Sequence, residues 1–123
     1  MKEEVTDMAS RDAVSDLIRG NIDAIILKTL SKGDSYGYEI LKSIGTASRG
    51  EYEMKEPSLY TSLKRLESQE FVESFWGNET QGARRKYYRL TDLGAQELVE
   101  ATERWKRVRG IIDRLLIMDG NEQ

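Results

Sequence analysis

One change of hydrophobic period limits the fold more than any other feature. Up to residue 68 the apolar side chains recur three and four apart, residues 71 to 90 turn β-rich, and the helical period returns from Asp92. In the first block Leu17, Ile18, Ile22, Ile25, Ile26 and Leu30 mark an amphipathic helix beginning at Asp16. It stops at Lys32-Gly33-Asp34, where Gly33 supplies a helix-ending conformation. Ser35 stands where an N-cap belongs, ahead of a short second helix that carries Ile40, Leu41 and Ile44 and is broken by Gly45 and Gly50. Glu56-Pro57 opens a third helix, because a first-turn proline loses no hydrogen bond, and Leu59, Leu63 and Leu66 are its stripe. Phe71 to Trp76 and Arg85 to Leu90 read as the strands of a β-hairpin around the turn-type segment Gly77 to Gly82. Thr91 caps a last helix with Asp92 in its first turn, running to about Met118.

Composition narrows the chemistry. A chain of 123 residues has room for one domain, and with no Cys and no His it lacks thiolate and imidazole groups and the usual zinc or iron ligands. No metal, cofactor or catalytic group is expected, and the paired carboxylates of an acid-base enzyme are missing from any Gly-framed strand or loop. The start has no basic, apolar leader and no window approaches a membrane span, so a soluble cytoplasmic protein with no membrane partner is expected. A formal net charge of −3 disfavours a non-specific polyanion binder, so any surface for nucleic acid must be local.

Three short helices followed by a two-stranded hairpin is the winged helix-turn-helix layout, in which the third helix enters the major groove. The expected class is mainly α with a small β-hairpin. Residues 1–15 form a flexible arm, 16–90 the winged domain, 91–118 a long C-terminal dimerisation helix and 119–123 a tail. With the leucine stripe buried, Pro57, Thr61, Lys64 and Ser68 point outward, and Ser58, Tyr60 and Arg65 flank them. Hydroxyls with one or two cations suit a groove-reading helix. In the wing, Arg84-Arg85-Lys86 place three consecutive cations beside Asn78, Gln81, Gly82 and Ala83, a candidate phosphate clamp opposed locally by Glu79. Ser35 and Tyr36 ahead of the second helix and Lys55 ahead of the third complete the candidate DNA surface. The bland alternative for each charged run is a solvated face.

These segments resemble the PadR-type transcription regulators. The resemblance rests on Tyr36-Gly37-Tyr38-Glu39-Ile40, on Ser58 through Glu67, on Gly82 through Thr91, and on Leu93-Gly94, and covers about residues 17–117. The short C-terminal region, one helix containing Trp105, resembles the small branch of that family whose members regulate drug-efflux transporters. The resemblance implies a homodimer, a pseudo-palindromic operator in double-stranded DNA, and repression relieved by hydrophobic compounds. One departure is the end of the third helix, where Gln69-Glu70-Phe71 stands in place of the family's usual glycine.

In the last helix Leu98, Trp105 and Ile112 repeat every seven residues, with Ala101, Val108 and Leu115 between them, giving three heptads of an apolar seam. An arm of about 40 Å exceeds what a small head can cover, so the seam is expected to meet a second copy. Leu17, Ile18 and Ala24 of the first helix are candidates to join it. Trp105 has the largest apolar area in the stripe and is the candidate stacking surface for a planar aromatic inducer, with Leu17, Ala24, Ala101, Thr102, Val108 and Arg109 around it. Arg109 favours a neutral or anionic ligand, and ordinary packing is the other reading of Trp105. The rival function is a winged-helix module that binds protein and not DNA, which low salt dependence would distinguish.

Overall fold

The computed structural model describes residues 12–78, 82 and 84–119. The expected arm at 1–11, the turn residues Glu79, Thr80, Gln81 and Ala83, and the tail from Gly120 lie outside the described residues.

The chain is already helical at residues 12–18, so helix occupies part of the segment expected as a flexible arm. A 3-10 turn at Arg19–Asn21 then separates this run from α1, Ile22–Leu30. The expected single helix is interrupted because Gly20 and Asn21, both poor helix formers, fall together. A short strand β1, Ser35–Tyr36, precedes α2, Gly37–Ala47. Next come α3, Glu56–Ser68, the strands β2, Val72–Trp76, and β3, Lys86–Leu90, and the arm α4, Asp92–Leu116.

Two local expectations are corrected. Ser35 is not an N-cap: it pairs with Tyr88 across the sheet, and Tyr36 takes the cap position without a side-chain bond. Gly45 lies inside α2, which ends two residues later at Ala47. The hairpin becomes a three-stranded antiparallel sheet of order β1-β3-β2, in which Ser35 and Tyr36 face Tyr88 and Tyr87, and Val72 faces Leu90.

The core joins α1, α2, α3 and the sheet. Ile26, Leu27, Leu30, Ile40, Ile44, Leu59, Leu63, Leu66, Val72 and Tyr88 are buried in one cluster, with Tyr52 and Met54 closing it from the α2–α3 connection. The stripe Leu59, Leu63 and Leu66 thus packs as its spacing requires, and Ser62 is buried beside it. The helix-to-strand turn that lacks glycine keeps a helix-terminating geometry. Glu70 adopts φ 64°, and the Phe71 N–H donates to the Leu66 carbonyl at 2.9 Å.

That turn also seats the arm. Thr91 Oγ1 donates to the Glu70 carbonyl and accepts from the Gly94 N–H, and a methyl group on Gly94 would collide with the Phe71 carbonyl. Leu90 to Gly94 therefore form the anchored junction between wing and arm. Beyond it α4 packs along α1 through Leu98, faces it as far as Trp105, and is largely exposed from there. Among the described residues no helix is long and apolar enough to cross a membrane.

Candidate functional site

α3 presents Ser58, Thr61 and Lys64 to solvent on the side opposite its buried leucines. Tyr60 is exposed on one side and packed on the other, where its phenol covers Gly37 so closely that a side chain there would clash. Glycine at 37 therefore leaves room for the Tyr60 phenol to lie against the start of α2. Lys55 is exposed just ahead of α3 and lies 3.4 Å from Glu53.

Arg65 has a different environment from its expected place on the reading surface. Its guanidinium forks onto Asp23 of α1, with Nε and Nη2 donating at 2.8 and 2.7 Å, and Nη2 also donates to Ser62 Oγ at 3.1 Å. The hydrogen bonds and charge of Asp23 raise the Arg65 pKa from its ordinary value. This side chain ties the last turn of α3 to the first turn of α1. Ser35 is likewise withdrawn: it is 5% exposed and its hydroxyl donates to Glu39 Oε1 at 2.7 Å.

The three consecutive wing cations do not share one side of the sheet, because successive strand residues alternate. Lys86 is the register partner of Trp76, lies over Tyr88, and so belongs to the side that carries α3. Arg84 sits over the Trp76 ring on that same side, 5.8 Å from its centroid. Arg85 lies over Tyr36, 4.8 Å from its centroid, on the other side. There Tyr36, Tyr87 and Phe75 form an aromatic row, with Arg89 over Phe75. Arg89 also reaches Asp34 at 2.9 Å and cross-links the strand to the loop before β1. Tyr88 is buried and Tyr87 half-buried, so this pair splits as their alternation requires. Burial raises the Tyr88 pKa and keeps its phenol neutral.

A groove of about 870 Å³ opens between residues 17–32 and α4, with the end of α2 as its floor. It brings together Leu17, Ala24, Ala101, Thr102 and Trp105, five of the residues expected around a ligand. Val108 and Arg109 do not line it, since they lie beyond the length over which α4 faces α1. Sequence reasoning missed Lys28, Lys32 and Tyr52 in its walls. Lys28 lies in the last turn of α1 and Lys32 in the turn that follows it, so only their four-residue spacing could have signalled them. Of the heptad seam, Leu98 packs on the head's own core and Ala101 is half-buried, whereas Trp105, Val108, Ile112 and Leu115 are exposed.

A three-helix head with an antiparallel wing after its third helix is a winged helix-turn-helix. Comparison with known proteins defines its kind. Residues 26–100 match the model of the transcriptional regulator PadR-like family. The chain is 43% identical over 108 residues to a Lysinibacillus sphaericus protein described as uncharacterized protein X, covering 88% of this chain and 97% of that one. It is 34% identical over 84 residues to transcriptional regulator YqjI of Escherichia coli (strain K12), covering 68% of this chain and 39% of that longer protein. The structure of a transcriptional regulator from Clostridium thermocellum is similar with a TM-score of 0.77 at 41% identity, over 83% of this chain and 99% of that one. A PadR-family regulator from Eggerthella lenta gives 0.80 at 31% identity, over 95% and 99%. The chain belongs to the PadR-like family of transcriptional regulators.

Proposed function

We propose that the protein is a homodimeric, ligand-responsive repressor that binds a pseudo-palindromic operator and controls a drug-efflux or detoxification gene. The observation that carries this reading is the double engagement of α1. On one side Asp23 holds Arg65 of α3, and on the other Ala24 and Ile25 line the groove that contains Trp105. A ligand in the groove presses on the same helical turn that positions the reading helix.

The remaining parts support the same scheme. Lys64, Ser58 and Thr61 supply the groove-facing chemistry of α3, and Arg84 and Lys86 lie on the α3 side of the wing. The exposed Val108, Ile112 and Leu115 suit a second copy of the arm, which would set two reading helices about 34 Å apart. Relief of repression then requires only that the ligand favour one spacing of the heads over another, because equal affinity for both would shift nothing.

The test is operator release. Anthracene-2-carboxylate, planar and kept off DNA by its charge, should lower the affinity of the protein for the DNA upstream of its own gene. Trp105→Ala should stay dimeric by sedimentation, bind that DNA and ignore the compound. Wild-type protein that binds the compound yet holds its DNA unchanged contradicts the repressor mechanism.

A further inference from the structure

We infer that the groove takes an elongated amphipathic anion, a long-chain carboxylate whose head lies at Lys28 and Lys32; the inference rests on the reading of this groove as the effector site.

The groove is polarised along its length. One wall runs from Leu17 and Ile18, through Ala24 and Ile25, to Lys28 and Lys32, so its first end is apolar and its far end is cationic. Ten residues separate Ile18 from Lys28 across the 3-10 turn at Arg19–Asn21, and a straight helical run of that length would span roughly 15 Å. A single-ring acid cannot reach from one to the other, whereas an extended alkyl chain can. The facing wall, Leu98, Val99 and Trp105, is apolar and suits such a chain.

The polar groups decide the sign of the head. The hydroxyls of Thr29, Ser48 and Thr102 already donate to the carbonyls of Ile25, Gly45 and Leu98. Glu103, the only carboxylate among the described lining residues, has Lys106 at 3.5 Å. Lys28 and Lys32 form no ion pair with the described residues. Two ammonium groups four residues apart at the end of an apolar trough, neither within ion-pair distance of a carboxylate among the described residues, are complementary to a carboxylate, although Asp34 and Glu39 line a smaller pocket beside Lys32. Their methylene stems extend the apolar wall while the charges remain in water. A cationic amphiphile would meet these two lysines with only one neutralised acid in return.

The experiment uses the intact protein with Trp76→Phe, so that Trp105 reports alone. Dodecanoate, octanoate and dodecyltrimethylammonium are titrated below their micellar concentrations, and release of upstream DNA is read in parallel. Dodecanoate should bind most tightly. Lys28→Ala with Lys32→Ala should weaken it about tenfold, and Lys28→Glu with Lys32→Glu should transfer the preference to dodecyltrimethylammonium. Lys42→Ala, on the exposed face of α2, should change nothing. Equal binding of anion and cation, or indifference to the lysine substitutions, overturns the inference. Release of DNA by anthracene-2-carboxylate with no binding of dodecanoate also overturns it, and leaves the effector reading standing. Lysine-dependent dodecanoate binding without release upholds the inference and removes the effector role.

Discussion

The head and the arm use the same apolar residue types under opposite conditions. In the head, Leu59 and Leu63 have no exposure at all, because α1, α2 and the sheet surround α3. In the arm, Leu115 and Leu116 are each 79% exposed, because a 25-residue helix of about 37 Å outruns the small head that seats its first turns. The core around α3 is thus closed within one chain, while the apolar surface of the arm's last turns stays uncovered by it.

This contrast fails first if core substitutions behave like arm substitutions. Leu63→Ala should lower unfolding free energy by about 2–5 kcal/mol, equally at low and high protein concentration in urea titrations. Leu115→Ala should move the midpoint only where chains associate. A concentration-dependent loss for Leu63→Ala would place the dimer contact in the head.

Next in size is Ile112→Glu, which puts an unpaired carboxylate into the free seam. Sedimentation should change from a two-chain to a one-chain species while the helical circular dichroism of the head persists. A variant that remains dimeric would assign the interface elsewhere.

A smaller effect separates the two cations of α3. Lys64→Ala should cost about 1–3 kcal/mol in operator binding if it contacts a base, and relax preference at one position. Arg65→Ala should weaken binding to all sequences alike, with an unchanged salt slope, because its guanidinium is engaged with Asp23. Asp23→Asn should cost about 1 kcal/mol or less in stability, since the pair is half-exposed. A loss of base preference in Arg65→Ala would return that residue to the reading surface.

The smallest change expected is a gain. Glu70 holds a left-handed conformation that glycine adopts without steric cost. Glu70→Gly should therefore stabilise the head by about 0.5–1 kcal/mol in thermal or urea unfolding. A loss would mean that the Glu70 side chain contributes to the turn.

What was legible in the sequence is what repeats locally. The leucine stripe of α3, the Thr91 cap and the period of α4 each follow from residues within a few turns of one another. Strand β1 was not legible, since two residues carry no period and are defined by Tyr87 and Tyr88, about fifty positions later. The same holds for Arg65, whose partner Asp23 is 42 residues away. The wing's basic run was legible in composition but not in direction, because only the register with β2 and the stacking on Trp76 and Tyr36 assign each cation a side. The groove's aromatic wall was expected from the heptad. Its lysine wall was overlooked because Lys28 and Lys32 read as ordinary solvated charges until α4 is seated beside α1.

If the protein binds DNA as proposed, α3 and the wing grip one duplex together. The most direct measurement is the slope of log affinity against log salt concentration for Lys64→Ala combined with Arg84→Ala. Each cation that contacts a phosphate contributes about one unit to that slope. The slope should become shallower by about one to two units, depending on whether Lys64 meets a base or a phosphate, in a protein that remains folded and dimeric. An unchanged slope in the double variant would contradict this shared grip and leave both cations on solvated faces.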